Sequence, residues 1–305
     1  MRVVVSGSTG FLGQYTVKAF AKEGHTVYAL CRNKEKAKAI FNDLANIEFV
    51  DFNLVDGLNE KAKEIIDGSD VFIHAAWMGV DRDNLDNPEM QKQNVLASIK
   101  LLEDINTLHI PNFIDYGSRA EYGNLTGVLD EKLECNPANA YGKSKLEFYR
   151  FASPYCLKNN INYLHLRFFS VFGAGDHPWS LMSTLAVKIP NGEEVSLGSC
   201  VQKWNLLYIE DAMRYVLKLT DCLKQNIIKN DIINVASIDT RVLKEYIQSI
   251  NALFGNKSNL KFGEFVPLKD SKMDVIPNVE KLVSFAPIKE IGFEEGFIRY
   301  VKGEI

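Results

Sequence analysis

Short apolar runs alternate with amphipathic segments through the first half of the chain. Arg2–Ser6 is a β-branched apolar run, which predicts a buried strand. Through residues 12–23, apolar positions recur on one helical face and Lys18 and Lys22 lie on another, which predicts an amphipathic helix. We expect Gly24 to end this helix in a left-handed conformation.

The same alternation continues and predicts a doubly wound parallel sheet. The other predicted strands are residues 25–31, 47–52, 71–75, 113–116 and 163–169. The other predicted helices are residues 34–44, 94–105 and 141–157. Strands separated by helices in this way are typical of an α/β fold, in which helices cover both faces of the sheet.

The alternation stops after residue 169. Loops rich in Gly, Pro and Asp follow at 173–178 and 190–193, and the later segments predict a smaller mixed lobe. We therefore expect residues 1–169 to form the sheet domain and residues 170–305 to form mainly a substrate-binding lobe. Segments near 205–220 are expected to return to the sheet domain.

Composition and charge exclude several classes of function. The chain has 305 residues, of which 46% are hydrophobic and 24% are charged, as in ordinary globular proteins. Its net charge of −4 gives no reason to expect a nucleic-acid partner. The five cysteines lack C-x-x-C spacing, so neither a disulfide framework nor a metal site is predicted. No apolar segment suits a signal peptide or a membrane span, so we expect a cytoplasmic protein with no membrane partner.

Three glycines at the first strand–helix junction carry the first chemical signal. Gly7, Gly10 and Gly13 give the spacing G-x-x-G-x-x-G between a predicted strand and a predicted helix. Glycines there permit a tight turn, a close approach of the backbone to a pyrophosphate, and close packing of the helix on the strand. The phosphates then lie at the helix N-terminus. Residues 1–169 are therefore predicted to be a dinucleotide-binding domain of the Rossmann type.

The end of the second predicted strand bears on the choice of cofactor. NAD sites usually place a carboxylate there, on the ribose 2′-hydroxyl. This chain has Arg32 instead, with Lys34 nearby, and a guanidinium at that position suits a 2′-phosphate. NADP(H) is therefore the favoured cofactor. NAD(H) is the alternative, in which Arg32 is an ordinary solvated arginine.

Ser118, Tyr141 and Lys145 form the second chemical signal. Ser118 follows a predicted strand, at the sheet edge where open α/β sheets bind ligands. Tyr141 and Lys145 are four residues apart and share one face of a predicted helix. Because tyrosine has an ordinary pKa of about 10, we expect the Lys145 ammonium to lower the pKa of Tyr141. Ser118 would hydrogen-bond a substrate oxygen while Tyr141 transfers a proton to it.

Motifs along nearly the whole chain resemble those of the extended short-chain dehydrogenase/reductases. The resemblance is to the NAD-dependent epimerase/dehydratase group, which acts mostly on nucleotide sugars. The matching stretches are 6–13, 53–54, 73–76, 94–95, 118 with 122–123, 141–145, 167–173 and 208–211. The resemblance implies that Ser118, Tyr141 and Lys145 are the catalytic triad and that Asn94 is a candidate fourth member.

The resemblance, with the predicted sheet, also indicates binding residues. For the cofactor they are Gly7, Thr9, Gly10, Phe11, Leu12, Gly13, Arg32, Asn53, Leu54, Ala75, Ala76, Tyr141 and Lys145. For a nucleotide-sugar substrate they are Trp77, Arg119, Ser170 and Trp204. A tryptophan can stack on a base or a sugar, although packing is its commoner role.

A homodimer is implied as well. By resemblance, the helices beginning near Asn94 and Tyr141 would pack against their symmetry mates as a four-helix core. The second helix carries more apolar surface than one face needs, which suggests burial against a partner. The residues concerned are Phe148, Tyr149, Phe151 and Ala152.

Departures from the family pattern narrow the chemistry. Related 4,6-dehydratases carry an Asp-Glu pair directly after the catalytic hydroxyl, where this chain has Arg119 and Ala120. Related 3,5-epimerase/reductases use a cysteine at the position of Ala120. On the substrate side, Ser170 stands where asparagine is usual, residues 204–205 are Trp-Asn where Arg-Asp is usual, and a lysine around 269–272 replaces an arginine. We therefore expect simple hydride transfer at one carbon and an altered or displaced diphosphate site.

Three functions follow, in order of preference. The leading hypothesis is an NADP-dependent reductase of a 4-keto-6-deoxy nucleotide sugar. The nearest alternative is a nucleotide-sugar 4-epimerase, which should keep NAD tightly bound while its keto intermediate turns over. A remoter alternative is a non-catalytic dinucleotide sensor on the same fold, against which the presence of Ser118, Tyr141 and Lys145 argues.

Overall fold

Strands and helices alternate through the structure, a computed structural model that describes residues 1–81, 83–264 and 274–303. In chain order the strands are β1 (Arg2–Ser6), β2 (Thr26–Cys31), β3 (Ile47–Asp51), β4 (Val71–His74), β5 (Asn112–Ser118), β6 (Val128–Leu129), β7 (Asn162–Phe168), β8 (Ser170–Phe172), β9 (Val195–Leu197), β10 (Lys203–Tyr208), β11 (Asp231–Val235), β12 (Thr240–Val242), β13 (Leu260–Phe262) and β14 (Ile276–Pro277). The helices are α1 (Phe11–Lys22), α2 (Lys34–Ile40), α3 (Glu60–Ile66), α4 (Pro88–Asn106), α5 (Ala140–Lys158), α6 (Leu181–Lys188), α7 (Ile209–Lys224), α8 (Leu243–Leu253), α9 (Glu280–Phe285) and α10 (Phe293–Lys302), with a 3₁₀ turn at Arg119–Glu121.

The large sheet has seven parallel strands in the order β11-β7-β5-β4-β1-β2-β3. The chain runs outward from β1 to β3 on one side and from β4 to β11 on the other, so the strand order reverses between β1 and β4. In open α/β sheets, ligands bind at the carboxyl ends of strands at such a reversal. The predicted α/β, doubly wound Rossmann-type fold is therefore confirmed.

Alternate residues of β1 face two separate cores. Val3 and Val5 pack in the core that includes α1 and α7, while Val4 packs in the core that includes α4 and α5. All three valines are fully buried. A strand covered on both faces must be apolar at every position, which explains its β-branched run.

Most predicted elements are present, with three differences. The helix α2 ends at Ile40, short of the predicted end at 44. The helix α4 begins at Pro88, ahead of the predicted start at 94, because Asn87 caps it by accepting a hydrogen bond from the Met90 N–H. The short helix α3 was not predicted, although Asn59 caps it in the same way. Gly24 has a φ of +80°, which confirms the expected left-handed end of α1.

The second half of the chain divides between the large sheet and a smaller set of elements. β11 joins the large sheet beside β7, and α7 packs against α1. The remaining strands form small sheets of order β12-β10-β8, β13-β9 and β14-β6. Within the described ranges, no helix combines the length and the apolar character that a membrane crossing needs.

The apolar residues of α5 do not all face outward as the dimer hypothesis supposed. Phe148 and Ala152 are fully buried in the chain's own core, because they pack under the large sheet with α4. Tyr149 and Phe151 are partly buried. The predicted excess of apolar surface on α5 is therefore smaller than the sequence suggested.

Candidate active site

The turn between β1 and α1 requires two of its glycines. Gly7 has a φ of +69°, and a Cβ there would lie 2.6 Å from the backbone nitrogen of Ala76. A Cβ on Gly13 would lie 2.1 Å from the carbonyl oxygen of Gly7. The Gly10 N–H closes the turn by donating to the Gly7 carbonyl at 2.9 Å. A side chain at Gly7 or Gly13 would therefore fill the cradle that the turn forms.

The helix α1 begins directly after this turn. Its N-cap, Gly10, has no side chain to accept hydrogen bonds from the first-turn N–H groups, and that turn contains no acidic residue. An anion placed there would accept those hydrogen bonds and interact favourably with the helix dipole. The turn therefore fits the pyrophosphate of a dinucleotide.

A groove of about 320 Å³ extends from this turn along the ends of β1, β2 and β4. The predicted cofactor residues that line it are Gly7, Thr9, Gly10, Arg32, Asn53, Leu54, Ala75 and Ala76. The predicted residues Phe11, Leu12 and Gly13 are not in the described lining, because they lie within α1 and face the turn or the core. Phe11 makes an edge contact with Tyr15, and Leu12 packs against the apolar core.

Basic side chains mark one end of the groove. Arg32 and Lys36 both line it. Lys34, which the sequence placed there, instead forms an ion pair with Asp51 of β3, with 2.8 Å between its Nζ and the carboxylate. The Arg32 side chain is exposed and has no ion-pair or hydrogen-bond partner among the described residues. Sequence reasoning missed Lys36, which the start of α2 brings to the groove.

Ser118 is the last residue of β5 and caps the 3₁₀ turn that follows. Its Oγ accepts a hydrogen bond from the Ala120 N–H at 3.2 Å, and its own N–H donates to Oε1 of Glu121 at 2.7 Å. These reciprocal bonds fix the backbone and the hydroxyl of Ser118. The hydroxyl proton is still able to donate to a ligand, since a hydroxyl has one donor and two acceptor positions.

Tyr141 lies in the first turn of α5. Its N–H donates to the Leu85 carbonyl at 3.0 Å, which ties the start of the helix to the loop before α4. Burial raises the pKa of Tyr141 to about 12, a hydrogen bond with the Ser118 side chain acts against this, and the Glu121 carboxylate adds to the rise. The phenol is therefore protonated at neutral pH, as a proton donor must be.

Lys145 follows one turn later on α5 and is 4% exposed. Its Nζ donates to the Tyr116 carbonyl at 2.7 Å and lies 3.7 Å from the centre of the Trp77 ring. Burial lowers the pKa of Lys145 to about 8, although the carboxylates of Asp115 and Glu121 act against this. A cation held over an indole face is stabilised by the ring quadrupole.

The Lys145 ammonium was expected to lower the pKa of Tyr141, and this lowering is not seen in the structure. The influences on the pKa of Tyr141 are burial, Ser118 and Glu121, and their net effect is upward. The Lys145 ammonium points instead at a backbone carbonyl and at Trp77. The physical reason is that burial of the phenol outweighs every other influence on its proton.

Asn94 and Trp77 both belong to the wall between the groove and α5. The Asn94 side chain is fully buried and holds Met78 at both backbone groups, accepting from its N–H at 2.8 Å and donating to its carbonyl at 2.9 Å. The Trp77 indole donates to Gln91 at 2.8 Å and meets the Tyr141 ring edge-on at 6.3 Å. Asn94 therefore braces the loop that carries Trp77.

A buried charged network that the sequence reasoning did not identify lies beneath Ser118. His165 bridges two carboxylates, with its Nδ1 2.9 Å from Asp115 and its Nε2 3.0 Å from Glu121. Arg167 donates from Nε to Glu121 at 2.8 Å. Burial lowers the pKa of His165, but the two carboxylates raise it to about 9. Burial likewise raises the pKa of Glu121, but His165 and Arg167 bring it down to about 2.

A second cavity, of about 270 Å³, opens beside the two hydroxyl groups. Ser118 and Tyr141 both line it, and so do Arg119 and Trp204. The Arg119 guanidinium carbon lies 5.1 Å from the centre of the Trp204 ring. The structure therefore brings two of the predicted substrate residues to the predicted proton donor.

The other predicted substrate residues are placed differently. Trp77 lines the groove, where it contacts Lys145. Ser170 is not among the described residues that line either cavity, because it lies in β8, where it pairs with Leu206 of β10. The role of Ser170 in binding the substrate therefore stays a prediction. The lysine position at 269–272 lies outside the described residues.

Comparisons with known sequences agree with this geometry. The family model for the NAD dependent epimerase/dehydratase family matches residues 3–236. The dTDP-6-deoxy-L-talose 4-dehydrogenase (NAD(+)) of Aggregatibacter actinomycetemcomitans is 27% identical over 177 residues, which cover 57% of this chain and 62% of that protein. The CDP-abequose synthase of Salmonella muenchen is 24% identical over 97% of this chain and 95% of its own length.

Solved structures share the fold over nearly the full chain. The UDP-N-acetylglucosamine 4-epimerase of Methanobrevibacter ruminantium M1, in complex with UDP-N-acetylmuramic acid, superposes with a TM-score of 0.85 at 20% identity, covering 99% of this chain and 97% of its own. The UDP-glucuronic acid 4-epimerase of Bacillus cereus in complex with NAD gives 0.82 at 18%, with coverages of 99% and 96%. At these identities the likeness shows the fold. Because the family model spans most of the sequence, including β1, the glycine turn and α5, this chain is an enzyme of the NAD dependent epimerase/dehydratase family.

Proposed function

We propose that the protein reduces the 4-keto group of a nucleotide sugar, in the simplest case a 4-keto-6-deoxy sugar nucleotide, with NADP(H) as cofactor. The observation that carries the proposal is the shared wall of the two cavities. Ser118 and Tyr141 line the substrate cavity, and Trp77, which contacts Tyr141 and Lys145, lines the cofactor groove. A reacting carbon between them would have a proton donor and the cofactor within reach.

The roles of the three catalytic residues follow from their environments. Tyr141, kept protonated by burial, donates its proton to the carbonyl oxygen. Ser118, held by the 3₁₀ turn, donates a hydrogen bond to the same oxygen. Lys145, which carries a positive charge below a pKa of about 8, is held by the Tyr116 carbonyl and the Trp77 ring, from where it would contact the bound cofactor. Asn94, by this proposal, acts by bracing the loop at Trp77.

The groove fits a dinucleotide, which when bound would supply the hydride. Gly7, Thr9 and Gly10 would hold its pyrophosphate, because they form the turn at the start of α1. Asn53 and Leu54 would face the adenine side. The 2′-phosphate of NADP(H) would then be bound by Arg32 together with Lys36, which is the residue that the structure adds to the site.

The lining of the substrate cavity supports reduction over elimination of water. The residues directly after Ser118 are Arg119 and Ala120, neither of which is an acid. The next residue, Glu121, is fully buried and its carboxylate is bound by His165 and Arg167, so it is committed to the network beneath the cavity. The proposed reaction therefore needs only one proton donor and one hydride.

The test is to mix the protein with NADPH and a panel of nucleotide-linked 4-keto-6-deoxy sugars and to follow absorbance at the nicotinamide band. We expect one member of the panel to oxidise NADPH. The second candidate, a 4-epimerase, is favoured by the epimerases that share the fold. It would purify with tightly held NAD and would interconvert C4 epimers without consuming added cofactor.

We also propose that α4 and α5 form a homodimer interface. Leu96 on α4 is 59% exposed and Leu157 on α5 is 65% exposed. Phe151 and Tyr155 stack on each other along α5 with 5.3 Å between ring centres. Light scattering at micromolar concentration should give twice the chain mass, and a monomer mass would contradict this interface.

A further inference from the structure

Arg119 is the one basic side chain among the described residues that line the substrate cavity. Its guanidinium is partly buried, yet none of the described residues forms a hydrogen bond or an ion pair with it. Burial without a counter-ion lowers the pKa of Arg119. Partial burial of a charge without a protein partner is unfavourable, and in the free protein only solvent is left to accept from the Arg119 guanidinium.

The other buried or partly buried arginines in the described ranges all have oxygen acceptors. Arg167 donates to Glu121, Arg214 to Asp211, Arg241 to Asp239 and Glu294, Arg299 to Glu210 and Glu295, and Arg2 to backbone carbonyls. This set shows that a guanidinium that leaves the solvent in this fold ordinarily has an oxygen acceptor, although Nη1 of Arg167 has no hydrogen-bond partner among the described residues. Arg119 departs from it at the position next to Ser118.

Trp204 holds the Arg119 guanidinium without satisfying it. The 5.1 Å contact is with the ring face, which attracts the charge but is not an oxygen acceptor. The one acid in the described lining, Asp274, accepts from the Lys203 N–H at 2.7 Å and forms no ion pair with Arg119. The five N–H donors of the guanidinium are thus left for a ligand.

We propose that Arg119, supported by Trp204, binds an oxyanion of the substrate, either a phosphate oxygen of the diphosphate or a carboxylate on the sugar. The inference rests on the proposed function, because it takes the cavity to hold a nucleotide sugar. A guanidinium binds either group through paired N–H donors. A carboxylate source would make the substrate an acidic sugar, whereas a diphosphate source is compatible with a neutral 6-deoxy sugar.

The experiment measures binding by calorimetry to protein saturated with NADP⁺, which occupies the groove and leaves the substrate cavity open. The probes are UDP-glucose, UDP-glucuronate, inorganic pyrophosphate and glucuronate. Arg119→Met keeps the side-chain stem against Trp204 and removes the charge. Arg150→Met, at an exposed site on α5, is the matched control and should bind as the wild type does.

We expect Arg119→Met to weaken binding at least tenfold. An equal loss for both UDP-sugars and pyrophosphate identifies the diphosphate as the source, and a loss confined to UDP-glucuronate and glucuronate identifies the sugar carboxylate. Unchanged affinity of Arg119→Met for every probe overturns the proposal, and so does a wild-type protein that binds none of them.

A second variant covers the case in which Arg119→Met fails to fold. Arg119→Lys keeps the charge but lacks the paired donors, so we expect it to lose affinity at least threefold. Wild-type affinity in Arg119→Lys would contradict recognition by the guanidinium. The proposed function fails separately, when no nucleotide sugar oxidises NADPH although Arg119-dependent binding persists.

Discussion

The cofactor groove and the substrate cavity lie at the same edge of the sheet but are built in different ways. The groove takes its walls from one stretch of chain, residues 7–78, and its shape depends on backbone atoms at the glycine turn. The cavity draws on residues from 85 to 275, which come from loops, the 3₁₀ turn, α5 and β10. Its chemistry depends on the side chains that line it and on the buried charged network beneath Ser118.

This difference teaches where each kind of substitution should act. In the groove, the glycine turn leaves N–H groups open, and by the proposed function the basic edge formed by Arg32 and Lys36 selects the cofactor. In the cavity, burial sets the proton affinity of Tyr141 and Lys145, and a charged network supports Ser118 from below. Cavity variants should therefore change turnover or folding, and groove variants should change cofactor affinity.

The largest effect is expected from Tyr141→Phe in the cavity. The ring and its packing remain, but the proton is lost, so turnover should fall roughly 10²–10⁴-fold, as for removal of a general acid. NADPH affinity should stay nearly constant. Steady-state kinetics and cofactor titration measure the two quantities. Tyr149→Phe, which removes a hydroxyl further along α5, is the control and should retain turnover.

The next effect is expected beneath the cavity, from Glu121→Gln. Removing this charge leaves His165 and Arg167 without their shared carboxylate, so the free energy of unfolding should fall by about 3–5 kcal/mol. Urea unfolding measures the change. Glu147→Gln, at an exposed position of α5, should leave stability almost unaltered. Equal stability of the two variants would mean that the network contributes nothing.

A smaller effect is expected in the groove, from Arg32→Asp. The variant removes the proposed partner of the 2′-phosphate, so NADPH binding should weaken by roughly 1.5–3 kcal/mol while NADH binding changes little. Lys34→Met is the control, because Lys34 is paired with Asp51 instead of facing the groove. Wild-type protein that binds NADH as tightly as NADPH would contradict the role of Arg32.

The remaining effect concerns pH and again separates the two regions. The pKa of His165 is raised in the folded protein to about 9 from an ordinary 6.5, so its contribution to stability is complete below pH 6.5 and is lost as the pH rises through about 9. Unfolding free energies between pH 6 and 10 should decline accordingly. His165→Gln should flatten the decline, whereas the exposed His109→Gln should reproduce it.

The groove was largely predictable from the sequence because its signals are local. The apolar run of β1, the glycine spacing and Arg32 lie within one strand–turn–helix–strand unit. The exception is instructive: Lys36 replaces Lys34 at the groove because the ion pair with Asp51 depends on where β3 lies. Local sequence patterns predict the strands and helices. Which of the two neighbouring lysines faces the groove depends on tertiary packing.

The cavity was predictable only in part. Ser118 and Tyr141 carry a recognisable order along the chain, and the structure places them together. The charged network was missed, although the polar residues at 163, 165 and 167 alternate with apolar residues at 164, 166 and 168 of β7 and so share one face. Their partners Asp115 and Glu121 come from another part of the chain, and such long-range pairing has no local signature.

The most direct test of hydride transfer at one carbon uses NADPH deuterated at the transferring position. Wild-type protein is incubated with this cofactor and the 4-keto nucleotide sugar that it accepts, and the mass of the product is measured by mass spectrometry. The account predicts one deuterium in each product molecule and one oxidised cofactor for each turnover. A 4-keto sugar recovered without deuterium, together with inversion at C4 of the corresponding 4-hydroxy nucleotide sugar while the added cofactor stays reduced, would contradict the account and establish the epimerase.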